Sequence, residues 1–175
     1  MRVETWHIVG ALFTLIVGTA LHFVYQWSGR SPLVAPFAAV NESVFEHLKL
    51  LAVPMLVESL VEALVYGRDL PNFWAVRLLS ILIGMAFITT AFYTYSGALG
   101  HSVVFVDILL FVLGVLGAYA FSLYALGTAC CSSPAANIAA RIGLTLLALT
   151  ILVCSFYPPH IALFQDPING TFGAK

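Results

Sequence analysis

Residues 41–66 read NESVFEHLKLLAVPMLVESLVEALVY. Asn41, Glu42, Glu46, His47 and Lys49 crowd the start, and a long apolar run follows. The run at 45–66 is close to the ~20 residues that an α-helix needs to cross the ~30 Å hydrocarbon core of a bilayer. Four further runs of this kind flank it, at 6–27, 73–95, 103–126 and 136–157. Lipid offers no water to backbone N–H and C=O groups, so continuous apolar runs of this length read as helices. The expectation is an all-α membrane protein. It is one domain over 1–175, a compact bundle of five transmembrane helices with short loops and a non-helical tail at 158–175.

Composition points the same way. The chain has 175 residues, 61% of them hydrophobic and 9% charged, with a mean hydropathy of +1.01. A soluble domain is roughly 45–50% apolar. The formal net charge is −1 and there is no basic run, which excludes nucleic acid as a partner. Three cysteines, two of them adjacent at Cys130 and Cys131, form neither a disulfide framework nor a metal-type spacing. The apolar run at 6–27 is longer than the 7–15 residues of a signal-peptide core and reads as a retained helix.

Proline, glycine and small polar residues mark the connections. They are SGRSPLVAPFAAVNES (28–43), GRDLPN (67–72), SGALGHS (96–102) and GTACCSSPAAN (127–137). Asn41 and Ser43 have the character of a helix N-cap. Lysine and arginine near the helix ends divide as Arg2, Arg68, Arg77 and Arg141 against Arg30, Lys49 and Lys175. The majority places the N-terminus inside.

Five spans put the first loop, the third loop and the tail on one face. His22, Asn41, Glu42, Glu46, His47, Tyr93, Tyr95, His101, Asp107, His160 and Asp166 all fall toward it. Ionisable groups at membrane depth cost several kcal/mol unless paired or hydrated, so they default to a functional reading. Along the second helix, Ser43 and His47 share a stripe, with Glu58 about 20° and Glu62 about 60° from His47.

Plainer readings stand beside this one. Glu46 and Lys49 at i,i+3 suit an interfacial ion pair. Asn41 and Glu42 suit a cap. His160 suits an interfacial residue, and His101 a solvated turn. Tyr25, Trp27, Trp74, Tyr93 and Tyr95 suit an aromatic belt without chemistry. Asp107, flanked by apolar residues, calls for a partner such as His22 or His47. Glu58 calls for a proton or a partner.

The segments LHFVYQWSGRSP, FAAVNESVFEHLKLL, FYTYSGALG and FYPPHIALFQDPINGTFG together resemble a family of small bacterial integral-membrane proteins classed as a domain of unknown function. Its motifs read H-F-x-Y-x-W-S-G, N-E-S-V-[W/F]-E-H-L-K and Y-P-P-H with a D-P-x-x-G tail. They fall on His22, Tyr25, Trp27, Asn41, Glu42, Glu46, His47, Lys49, Tyr157, His160 and Asp166. The resemblance implies a compact multi-helix membrane protein of the bacterial cytoplasmic membrane and assigns no activity.

Imidazoles and carboxylates are the ligands of a divalent metal such as zinc. The first functional expectation is therefore a metal-dependent, membrane-embedded hydrolase or transferase. His22, His47 and His160 are the expected metal ligands, and Glu46, His47 and Asp107 the expected catalytic groups. Asn41, Glu42, Glu58 and Asp166 complete the polar site. No H-E-x-x-H motif supports this, and adjacent Glu46 and His47 point about 100° apart on a helix. A small proton- or cation-coupled transporter or channel is the alternative, with His47, Glu58 and Glu62 as its path. The third is a non-catalytic protein that binds a lipid or a partner. Expected partners are membrane lipids, a small-molecule or lipid ligand, and further copies of the chain.

Overall fold

The structure is a computed structural model that describes residues 2–174. It contains five α-helices: α1 (Val3–Trp27), α2 (Val44–Val65), α3 (Phe73–Leu99), α4 (Val104–Leu126) and α5 (Pro134–Phe156). Short 3-10 turns follow α2 at Gly67–Asp69 and α5 at Ala162–Phe164. One antiparallel bridge, Gln165 to Phe172, is the β pairing among the described residues.

Helices α1, α3, α4 and α5 are long and apolar enough to cross a membrane. Their surfaces carry large apolar side chains outward, among them Ile16 on α1, Phe105 on α4 and Leu146 on α5. Such an exterior suits lipid and would be costly in water. Helix α2 differs. It has length, but Glu46, Lys49, Glu58 and Glu62 interrupt its apolar run, and all four are buried. It is the hub of the bundle and packs against each of the other four helices. Leu51, Ala52 and Met55 of α2 are fully buried against Ile81 of α3 and Val115 and Ala118 of α4.

Lipid tails are as apolar as leucine, so helices in a bilayer associate through close packing rather than through the hydrophobic effect. Small residues make that packing here. A Cβ on Gly18 of α1 would lie 2.3 Å from the Leu50 carbonyl oxygen of α2. Gly84 and Gly114 let α3 and α4 approach in the same way: a Cβ on Gly114 would lie 2.6 Å from Ile88 Cγ1.

Most helix ends fall within two or three residues of the sequence reading. Helix α3 runs four residues further, from the expected Tyr95 to Leu99. Gly100, at φ +78°, stops it, and its N–H donates to the Ser96 carbonyl at 2.8 Å. Helices α2 and α5 begin on serine caps: Ser43 Oγ accepts from Glu46 N, and Ser133 Oγ from Ala136 N.

The first loop and the tail fold over one end of the bundle. Ala35 and Ala38 pack on Tyr25 at the end of α1. Phe164 of the tail stacks against Phe45 of α2 with ring centroids 4.5 Å apart. The Ala174 N–H donates to the Ser155 carbonyl at 2.7 Å. A buried ion pair holds the loop. Lys49 Nζ lies 2.5 Å from Glu46 Oε2 and also donates to the Ala35 carbonyl (2.8 Å) and Ser155 Oγ (3.0 Å). Glu46 Oε2 in turn accepts from Val40 N at 2.9 Å. The pair is therefore an interior clamp and not the interfacial contact that its spacing suggested.

Candidate metal centre

Three side chains converge at this end of the bundle. His22 comes from the penultimate turn of α1, Glu42 from the loop ahead of α2, and His47 from the first turn of α2. Local geometry aims them. Asn41 Oδ1 accepts from Ser43 N at 2.9 Å, an Asx turn that sets the direction of Glu42. His47 Nδ1 lies 2.9 Å from the Ser43 carbonyl, which can only accept, so Nδ1 carries the proton. That fixes the tautomer and leaves the Nε2 lone pair free for a ligand.

His47 Nε2 is 3.5 Å from Glu42 Oε2, and His22 Nε2 is 3.9 Å from Glu42 Oε1. The two imidazole rings lie 5.1 Å apart. One ligand atom from each residue falls within 4.8 Å of the others. Tetrahedral zinc, with bonds of ~2.0–2.1 Å, separates its ligand atoms by ~3.4 Å. The observed separations therefore need only a small inward adjustment of side chains that are half-exposed. His22 Nδ1 and Asn41 Nδ2 are buried without hydrogen-bond partners.

Beside the trio lies a cavity of about 240 Å³, whose walls include Glu42, His47, Phe92, Asp107, Phe111 and Ile168. Its residues come from α2, α3, α4 and the tail, so the ends assigned to one face do meet. Asp107 is partnered neither by His22 nor by His47. Its carboxylate accepts a hydrogen bond from Tyr95, whose hydroxyl also accepts from Val103 N at 3.0 Å. Tyr95, read from the sequence as a belt residue, is thus the group that holds Asp107 in place.

The remaining expected residues are distributed differently. Glu46 is committed to the Lys49 clamp. His160 is exposed and stacks on Phe172 at 4.5 Å, outside the group formed by His22, Glu42 and His47. Asp166 closes a turn in the tail, accepting from Ile168 N (2.8 Å) and Asn169 Nδ2 (2.9 Å). His101 is exposed. Glu58 is buried one turn from Glu62, in the other half of α2.

A family model described as a family of unknown function, DUF6512, matches residues 1–174. The chain belongs to this family. No curated protein and no solved structure matches it.

The DUF6512 chain also carries a polar cluster that sequence reasoning missed. Arg77 of α3 is fully buried, with Nη2 3.2 Å from Glu62 Oε2 of α2. Its Nε donates to Ser59 Oγ (3.0 Å), its Nη1 to Ser122 Oγ of α4 (3.3 Å), and its guanidinium lies 5.4 Å from the centre of the Tyr119 ring. Ser122 passes the polarity on to His7 Nε2 at 3.0 Å, while His7 Nδ1 donates to the Val3 carbonyl at 2.9 Å. Thr14 and Tyr119 bond each other at 2.9 Å alongside. The Arg77–Glu62 contact is an ion pair without hydrogen-bond alignment, and Glu58 Oε2 and Tyr66 OH nearby are buried without partners. A single arginine inside the apolar stretch FWAVRLLSILIG, opposite two carboxylates at i,i+4 on α2, was the available signal.

Proposed function

We propose that the protein is a five-span membrane protein that holds a divalent metal ion on His22, Glu42 and His47 and uses it for hydrolysis or group transfer. The observation that carries the reading is the convergence of two imidazole Nε2 atoms and one carboxylate, with the His47 tautomer already set for coordination. Two histidines and one glutamate are a ligand set used by catalytic zinc sites, which keep a fourth position open. A metal held there supplies a polarised water or substrate oxygen.

The chain's own groups account for the rest of the reaction site. The cavity beside the trio admits a small substrate or the reacting end of a larger one. Asp107, oriented by Tyr95 on the same cavity, is the group available to accept a proton. Glu46, buried in its clamp, acts by holding the loop that carries Glu42. The fifth span is α2, whose charges turn inward while Val57, Leu60, Val61, Leu64 and Val65 face outward. With Arg77 and Lys49 buried, Arg2, Arg68 and Arg141 remain exposed at one end and Arg30 at the other. Lys175 lies outside the described residues. The balance supports an inside N-terminus; the bacterial cytoplasmic membrane rests on the family resemblance alone.

Elemental analysis of the purified protein tests the metal. Stoichiometric zinc or a similar ion, lost in His47→Ala and retained in His160→Ala, supports the reading. A wild-type protein that takes up no divalent ion at stoichiometry overturns it. The transport reading rests on buried Glu58 and Glu62. Arg77 already occupies Glu62, and neither carboxylate lines the cavity at the capped end, so the metal reading comes first.

A further inference from the structure

At the end of the bundle away from the cap, a groove of about 740 Å³ runs between α2, α3 and α5. Its walls are apolar, with Leu60 and Leu64 from α2 and Ile138 from α5. These three are 61%, 69% and 55% exposed and face the surroundings of the bundle rather than its core. Trp74 of α3 forms part of the lining. Two cations line the groove. Arg68 follows α2, and Arg141 lies two turns into α5. Both are exposed, and among the described residues neither forms an ion pair. The N-terminal end of α5, the positive end of its dipole, borders the same space at Pro134.

The groove is built rather than incidental. Asn137, a buried lining residue, has Nδ2 within reach of the carbonyls of Pro71 (2.5 Å), Ser133 (3.1 Å) and Cys131 (3.3 Å), which share its two protons, and its Oδ1 accepts from Ala75 N (3.3 Å). One side chain thereby ties α5 to the start of α3 and sets the spacing of the walls. Asn72, the residue that precedes α3, adds a second tie, to the Ala125 carbonyl in the last turn of α4 (2.9 Å) and the Thr128 carbonyl just after it (3.0 Å).

We infer that this groove binds an anionic phospholipid, its phosphate between Arg68 and Arg141 and an acyl chain along Leu60, Leu64 and Ile138. Charge selects the occupant. An apolar trough at a membrane edge accepts any acyl chain, but two unpaired guanidinium groups along it favour a lipid with net negative charge over a zwitterionic one. Arginine matches phosphate by its planar fork of donors. The inference rests on the membrane reading of the helices and is independent of the metal centre at the other end.

The test uses the full chain with Trp6→Phe and Trp27→Phe, which leaves Trp74 as the only tryptophan. It is reconstituted in phosphatidylcholine vesicles containing either dibrominated phosphatidylglycerol or dibrominated phosphatidylcholine, and Trp74 quenching is followed as the brominated fraction rises. Each arginine near an anionic surface is worth about fivefold, so quenching by phosphatidylglycerol is expected at mole fractions about twentyfold lower. Arg68→Gln with Arg141→Gln is expected to bring the two lipids to parity. Each single substitution, a smaller change in fold terms, is expected to remove about fivefold. Equal quenching by the two lipids in the unsubstituted groove overturns the proposal, and so does a preference that survives both substitutions. Relief of quenching by inorganic phosphate also overturns it, because it assigns the arginines to a soluble anion. A chain that does not insert into vesicles at all overturns the membrane reading together with the lipid site, whereas loss of selectivity in an inserted chain overturns the lipid site alone.

Discussion

Arg77 and Glu62 face each other 3.2 Å apart with no exposure of either side chain. A buried ion pair of this kind gains little over an apolar pair of the same volume, yet removing one partner strands a charge. Glu62→Leu alone is therefore expected to destabilise the bundle by about 3–5 kcal/mol. Glu62→Leu combined with Arg77→Met is expected to recover most of that. Unfolding in mixed detergent micelles measures both. A single variant as stable as wild type would contradict the burial of the pair.

The Glu46–Lys49 clamp makes a different prediction, because it secures a loop and not the core. Lys49→Met removes the donors to the Ala35 carbonyl, Ser155 and Glu46 together. Hydrogen exchange is expected to accelerate across residues 31–43 while the amides in the middle of α3 and α4 keep their protection. Uniform acceleration through all five helices would show that the clamp supports the whole fold instead.

The metal site proposed on the trio makes a prediction about where Glu42 points. Glu42→Gln keeps its shape and removes its charge, and Asn41→Ala keeps the charge but releases the turn that aims it. Groups that orient a ligand are worth about 10–100-fold in metal affinity. Asn41→Ala is expected to fall in that range, and Glu42→Gln to lose at least as much. Competition against a fluorescent zinc chelator reads both. Equal affinity for Glu42→Gln and wild type would remove Glu42 from the ligand set.

Gly18 tests the helix packing. A Cβ there meets the Leu50 carbonyl oxygen at 2.3 Å, and backbone cannot swing aside as a side chain can. Gly18→Ala is expected to cost about 1–3 kcal/mol by forcing α1 away from α2. Because His22 and His47 lie on those two helices, zinc affinity should fall with it. Gly117→Ala, where a Cβ meets nothing within 4 Å, serves as the matched control and should be neutral or slightly stabilising.

Much of the helical layout was legible because apolar length and lipid leave few alternatives. All five helices and their turns lie close to where the runs and the Gly/Pro breaks placed them, and the family resemblance matches the family found. The convergence of His22, Glu42 and His47 was legible only in outline. Parity of the spans put them at one end, but rotation about each helix axis decides which side chains touch, and apolar runs with so little periodicity leave rotation open. Glu42 therefore read as a cap, and His160 as a ligand. Tyr95 was hidden for the same reason: its distance in sequence from Asp107 is short, yet only the turn at 100–103 brings its hydroxyl onto the carboxylate. Arg77 was hidden by position. A residue one turn into a helix reads as interfacial until something shows that the turn itself is packed under α2 and α4.

The order of synthesis has a bearing on the capped end. Ile168 forms one wall of the cavity beside His47, and Ala174 docks on the backbone of Ser155, the residue whose hydroxyl receives Lys49. Those tail residues leave the ribosome after all five helices have been made. The histidines and Glu42 can assemble early, but the chamber beside them stays open on one side until the segment after α5 folds back. The wall of the cavity that Ile168 supplies is therefore the last part of this end to form.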